Sequence, residues 1–273
     1  MAIITISREL AALGDETAHE LADVLKYRFI DKRLLEERIK SYGVADQKLQ
    51  KYDERKLSFL TSLSQDHDDY LHYLKTAVLA EVGSGSSIII GRGANVMFKN
   101  IPGVLSVFLV APMEIRIKRV KSYFHCDDRR SRQIIEQSDK DREGFHHYFF
   151  DMEWRYSGNY HLTLNTGHLH PVVCAEIIKY VRDELITPEA EEQNAKRLQE
   201  LTLGQQVRHH ILYEKEVPIH FLETAVSGNI VTLYGVANSQ ALVESAVTTA
   251  RATFPQHSIQ SEIQVVHEYS VMP

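Results

Sequence analysis

Two cysteines, Cys126 and Cys174, are all that this chain of 273 residues carries, and they form no C-x-x-C pair. That excludes a disulfide framework and fits a reducing compartment. Long apolar runs are also missing. Nothing approaches the ~20 residues of a membrane span, and Leu74–Val82 is interrupted by Lys75 and Glu81. No basic segment followed by an apolar stretch and a small-residue cleavage site precedes the first strand, so a cytoplasmic location is expected. Histidine is plentiful, but His146-His147, His209-His210 and the His168/His170 pair lack H-x-x-x-H spacing beside an acidic ligand, so no metal site is expected. Ser7 has no G-x-S-x-G elbow around it, which argues against hydrolase chemistry. Positive charge is scarce as well. The formal net charge is −6, and residues 187–273 hold only Lys196, Arg197, Arg208, Lys215 and Arg251 against ten Glu. Neither nucleic acid nor anionic lipid is an expected partner of that segment.

What is present begins at the N-terminus. Ile3-Ile4-Thr5-Ile6 is a β-branched run, followed by a turn segment and an amphipathic helix from about Gly14. A strand, a loop and a helix start form a cradle in which backbone N–H groups face an anion. The usual phosphate loop reads G-x-x-x-x-G-K-[ST]. Here Glu9 stands at the first Gly, Gly14 keeps the second, Asp15 replaces the Lys and Glu16 replaces the hydroxyl residue, with Thr17 one position on. Ser7, Arg8, Gly14, Asp15 and Thr17 are therefore the candidate phosphate-site residues. Arg8 is the only cation between Met1 and Asp15, so it is the candidate substitute for the missing lysine.

Alternating strands and helices over the first 186 residues predict a parallel sheet covered on both faces. The expected strands are 3–7, 28–30, 87–91, 105–110 and 161–165. In such sheets ligands sit beyond the carboxyl ends of the strands, where Ser7, Asp31, Gly91-Arg92-Gly93 and Ala111 fall. A charged helix opens at Pro188 and is expected to run to about Leu201, in a linker over 187–203. After Gly204 a helix, strand, strand, helix, strand order predicts a separate small α+β module over 204–273. Ser227-Gly228-Asn229 joins two of its strands as a hairpin turn.

Three further groups of residues bear on chemistry. Arg92, flanked by Gly91 and Gly93, suits bidentate recognition of a phosphate or base edge, or is simply an Arg in a tight turn. Asp31 fits a helix N-cap and also a contact to a substrate hydroxyl, with Lys32 beside it. Arg132 and Arg142 lie ten residues apart on a basic helical stretch, within about 80° around an unbroken helix. That stretch is either a solvated face or a mobile lid that neutralises a transferring phosphoryl group.

Taken in order, ITISREL, FIDKRLLEE, KYDERK, IIIGRGANVMFKNIPGVLSVFLVAPMEIRIKRV, DKDR and YHLTLNT resemble the bacterial cytidylate-kinase-like family over residues 1–185. VPIHFLETAVSGNIVTLYGVANSQALVESAV resembles a BON domain. The first resemblance implies a P-loop nucleoside monophosphate kinase fold, with ATP and Mg²⁺ as cofactors and CMP or dCMP as acceptor. It places Arg92 and Asp31 on the acceptor side and Arg142 in the lid, and Lys32 beside Asp31 and Arg132 on the stretch of Arg142 join them as candidate acceptor-binding and catalytic residues. The chain departs from the family at Ala11, Ala12 and Leu13, where small or Gly residues are usual, at Asp15, and at Gly93, where true cytidylate kinases carry Asp. Three functions follow as expectations. One is a CMP-type kinase with a weakened loop, and another is a catalytically silent nucleotide-binding regulator acting through the BON-like module. The last is a scaffold centred on that module and its own unknown ligand.

Overall fold

A computed structural model describes residues 1–51 and 64–266, so most of the KYDERK motif lies outside the described residues. The chain falls into two compact units, Met1–Ala195 and Lys196–Pro273. Each is built around its own apolar core.

In the first unit the β-branched runs form the strands. They are β1 (Ile3–Arg8), β2 (Arg28–Ile30), β3 (Ser87–Ile90), β4 (Val104–Val110) and β5 (Leu162–Asn165), in the sheet order β2-β3-β1-β4-β5. All neighbours are parallel, and Ile4 of β1 lies between Ile88 and Leu105. Ile3, Ile4 and Ile6 are all buried, so β1 reads as a continuous apolar run rather than an alternating one. On one face, Ile4, Ile6, Ile88 and Val107 meet Leu21 of α1 (Gly14–Leu25) and Ile178 of α8 (Pro171–Leu185). On the other face, Phe108 stacks on Tyr160 and meets the edge of Trp154.

The remaining helices of this unit are α2 (Lys32–Ser41), α3 (Asp46–Lys51), α4 (Ser64–Val82), the short α5 (Ala94–Met97), α6 (Met113–Phe124) and α7 (Asp128–Phe150). Glu81 of α4 is fully buried and ion-pairs with Arg28 of β2 and, at 2.5 Å, with Arg38 of α2. One carboxylate thus ties a helix to a strand and to a second helix. The chain leaves β1 toward β2 and leaves β4 toward β5 on the other side. The crevice at their carboxyl ends is therefore the switch point at which such sheets bind ligands.

The second unit orders β6 (His220–Ser227), β7 (Ile230–Ala237) and β8 (Ser258–Val265) as β6-β7-β8. The first pair is antiparallel, with Ser227 opposite Ile230 and Gly228 at φ +58° in the turn. α10 (Gln240–Thr253) crosses over to bring β8 parallel to β7, and Val231, Leu233, Ala246 and Ile259 form the core. One expectation fails here. Instead of stopping near Leu201, α9 (Pro188–His209) runs through Gly204 and passes into a π turn over His210–Glu214. Gly204 is a packing residue, since a Cβ there would lie 2.7 Å from Thr224 Oγ1.

Candidate functional site

The segment between β1 and α1 turns through two left-handed positions without the glycines that usually allow them. Ala11 and Leu13 hold φ of +60° and +53°, a left-handed conformation that costs about 1–2 kcal/mol for a residue with a Cβ. Side chains from α6 and α7 hold it there. Arg116 Nε donates to Leu10 O at 2.7 Å, Arg119 Nη1 donates to Ala11 O at 2.9 Å, and Leu10 N donates to Asp139 Oδ1 at 3.1 Å. The loop is thus clamped by residues more than 100 positions away.

Those clamps belong to one buried charge cluster. Asp139, 2 % exposed, accepts from Arg116 Nη2 at 2.5 Å and Arg155 Nη2 at 2.8 Å, with Arg142 Nη1 at 3.8 Å. Glu9 accepts the Ala111 amide at 3.2 Å and pairs with Arg116 at 3.2 Å, bridging the ends of β1 and β4. Where a phosphate loop has its first glycine, this chain places a carboxylate in the crevice.

Arg8 runs along the inside of the loop. A Cβ on Gly14 would lie 2.4 Å from Arg8 Cγ, and one on Gly91 would lie 2.7 Å from Arg8 Nη1. The two glycines therefore leave the lane in which the arginine lies. Its Nε is buried with no hydrogen-bond partner, and its Nη2 stands 3.8 Å from Asp15 Oδ1, too far for a hydrogen bond. A largely buried guanidinium so weakly satisfied is well placed to meet an anion.

A cavity of about 400 Å³ opens beside this loop. Arg8, Arg119 and Arg142 line it with Leu13, Gly14, Asp15 and Glu16 from the start of α1, and Tyr123 and Phe124 from the end of α6. Leu13 at the N-cap of α1 makes no side-chain capping bond. The first helical N–H groups thus have no side-chain cap and carry the positive end of the helix dipole. Arg119 bonds only neutral oxygens in its described contacts, Ala11 O, Thr166 Oγ1 and Thr166 O. Burial lowers its pKa, and Glu16 opposes that shift.

The other residues singled out from the sequence fall as follows. Thr17 is buried, and its hydroxyl donates to Leu13 O at 2.7 Å inside the helix. Ser7 is buried near the Tyr160 phenol, which donates to Trp154 O at 2.8 Å and whose pKa burial pushes up to about 12, with Ser7 opposing the shift. Asp31 caps α2, accepting from Leu34 N at 2.8 Å. Lys32 and Arg92 meet through Glu36, at 3.6 and 3.0 Å. Arg92 is 2 % exposed, donates to Tyr70 Oη at 3.2 Å and lies over the Phe145 ring. Phe150 fills the space at Gly93, its ring 2.0 Å from where a Cβ would stand. Arg142 reaches the cavity. Arg132 does not line it and pairs with Glu136 at 3.8 Å on the exposed side of α7.

Sequence reasoning missed Glu9, Glu36, Arg116, Arg119, Asp139 and Arg155 as parts of this arrangement. The E-x-R-x-x-R run at Glu114–Arg119 was the available signal for two of them. Among the described residues, no group of three or more His, Cys, Asp or Glu could hold a metal ion. No described helix is long and apolar enough to cross a membrane.

A parallel five-stranded sheet with a loop and helix start at the switch point defines an α/β protein with its crevice at the carboxyl ends of the strands. The chain belongs to the cytidylate kinase-like family, whose model matches residues 3–168. Among solved structures, an uncharacterized protein from Eubacterium ventriosum is similar, at 20% identity and a TM-score of 0.53, over 67% of this chain and 99% of that one. Shikimate kinase from Acinetobacter baumannii in complex with shikimate matches at 18% identity and a TM-score of 0.40, over 68% and 96%. Shikimate kinase from Bacteroides thetaiotaomicron matches at 16% and 0.39, over 67% and 98%. No curated protein sequence matches the chain.

Proposed function

We propose that the first unit binds ATP at the loop cavity and transfers its γ-phosphoryl group to CMP or dCMP, with donor binding weakened by the altered loop. One observation carries this reading: the uncapped start of α1 opens on a cavity where Arg8, Arg119 and Arg142 converge. Backbone N–H groups and arginines are the donors that hold phosphate oxygens, and a phosphoryl transfer asks little else of a protein than positioning and charge neutralisation. The residues present fit the phosphates of ATP. They do not fit Mg²⁺ in the usual way, because the Thr17 hydroxyl is spent on Leu13 O. On this reading Arg92, Lys32 and Asp31 serve the acceptor, Arg142 closes from α7, and the protein works in the cytoplasm, where both nucleotides are found.

A second reading is favoured by Arg92 itself. Glu36, Tyr70 and Phe145 already occupy its guanidinium, and Phe150 takes the space of the acidic residue that true cytidylate kinases carry. A silent relative would bind nucleotide in the first unit and report it through residues 204–273, assigned here as a BON-like module beyond a 187–203 linker. Isothermal titration of ATP-Mg²⁺ and of CMP, followed by a turnover assay, separates the two. Binding of both with CDP formation supports the kinase. ATP binding without CMP binding at millimolar concentration supports the silent relative.

A further inference from the structure

The inside of α6 is accounted for by folding: Arg116 and Val120 are each 2 % exposed and turn into the unit. Its last turn is not. Tyr123 is 80 % exposed and Phe124 53 %, two adjacent aromatic rings standing in water at the end of a helix. Single exposed apolar residues are ordinary and call for no explanation. These two, however, line the same cavity as Arg8, Arg119 and Arg142. Their centroids are 5.0 Å apart with the planes at 69°, so the rings meet edge to face rather than stacking flat on one another. Ring surface is left for a third planar group. A cationic floor for oxyanions and an aromatic rim at one cavity match a molecule that is a polyphosphate at one end and a flat heterocycle at the other.

We infer that Tyr123 and Phe124 form the stacking platform for the base of the donor nucleotide, and that the site selects a broad ring face rather than one particular base. This rests on the loop cavity being the phosphate site. Stacking tolerates any base, because every base has a π face, and it favours the larger purines. Val120 and Leu13 add apolar surface to the same lining, which discriminates no base edge. ATP and GTP should therefore bind alike, and CTP more weakly.

The test is calorimetric titration of the full chain with ATP, GTP, CTP and inorganic tripolyphosphate, each with Mg²⁺. Wild type is compared with the Tyr123→Ala/Phe124→Ala double variant and with Tyr123→Phe/Phe124→Tyr, which keeps both rings. Base stacking on an aromatic residue corresponds to roughly a five- to 150-fold change in affinity. The alanine variant should lose that much for ATP and GTP while tripolyphosphate binds as before, and the ring-keeping variant should match wild type. Unchanged ATP affinity in the alanine variant overturns the platform and leaves the phosphate site standing. An equal loss for tripolyphosphate also overturns it, since the rings would then act through the shape of the cavity. Wild type that binds neither ATP nor tripolyphosphate overturns both.

Discussion

At Asp15 the charge of the loop is reversed, and the consequence is local. The carboxylate is mostly exposed at the first turn of α1, where it complements the helix dipole and, on the proposed reading, would stand against an incoming triphosphate. Like charges a few ångströms apart cost on the order of 1–4 kcal/mol at effective dielectrics between 80 and 20. Asp15→Lys should tighten ATP-Mg²⁺ binding by at least several-fold in a titration, and a loss of affinity would show that the side chain faces elsewhere. Arg8 provides the opposite case. Having no hydrogen bond from Nε and only a 3.8 Å pair to Asp15, its guanidinium contributes little to folding. Arg8→Ala should lower nucleotide affinity about tenfold or more, in line with one charge-assisted hydrogen bond, and barely move the melting temperature. A large fall in melting temperature at unchanged affinity would make Arg8 a structural pin. Gly93→Asp, which restores the residue of true cytidylate kinases, should destabilise by about 1–3 kcal/mol by overpacking against Phe150. Adding Phe150→Ala should recover part of that in denaturant unfolding.

Elements are joined here by buried carboxylates, and this is where stability can be probed. Glu81 holds α4 to β2 and α2, while its partners Arg28 and Arg38 are 37% and 42% exposed and can rehydrate. Glu81→Gln should therefore cost about 1–3 kcal/mol in urea unfolding, less than for a pair buried at both ends. Asp139 joins α7 to the loop through the Leu10 amide. Asp139→Asn keeps the shape and removes the charge facing Arg116 and Arg155. Hydrogen exchange should then quicken over residues 9–14, and unchanged protection would show that the loop holds its path unaided. The strands were legible because β-branched runs end in turn residues, as at Ile88-Ile89-Ile90 before Gly91. The caps were legible because Asp31 stands directly before an amphipathic repeat. The clamps were not, since Leu10 and Asp139, or Glu9 and Arg116, are neighbours only after the sheet has formed. Gly204 misled for a related reason: a glycine that makes room for Thr224 looks in sequence like one that ends a helix.

For the whole molecule, two cores imply two melting events. One is built on Ile4, Ile88 and Leu105 and the other on Val231, Leu233 and Ala246. Calorimetry of the full chain should show two transitions, and saturating ATP-Mg²⁺ should raise only the one belonging to residues 1–195, because a ligand stabilises the unit it binds. A single transition shifted as a whole would mean that the units unfold as one.

The left-handed backbone at Ala11 and Leu13 has a bearing on descent as well as on binding. A lineage that loses the glycines of such a loop would ordinarily lose the backbone path with them, and regaining it would require several coordinated changes. Here the path is held without glycines, by Arg116, Arg119 and Asp139 from neighbouring helices. A glycine at 11, a glycine at 13 or a lysine at 15 would each be a single substitution in a loop braced from outside. On the proposed reading, such bracing would let the affinity of the loop for nucleotide change one residue at a time in a folded chain.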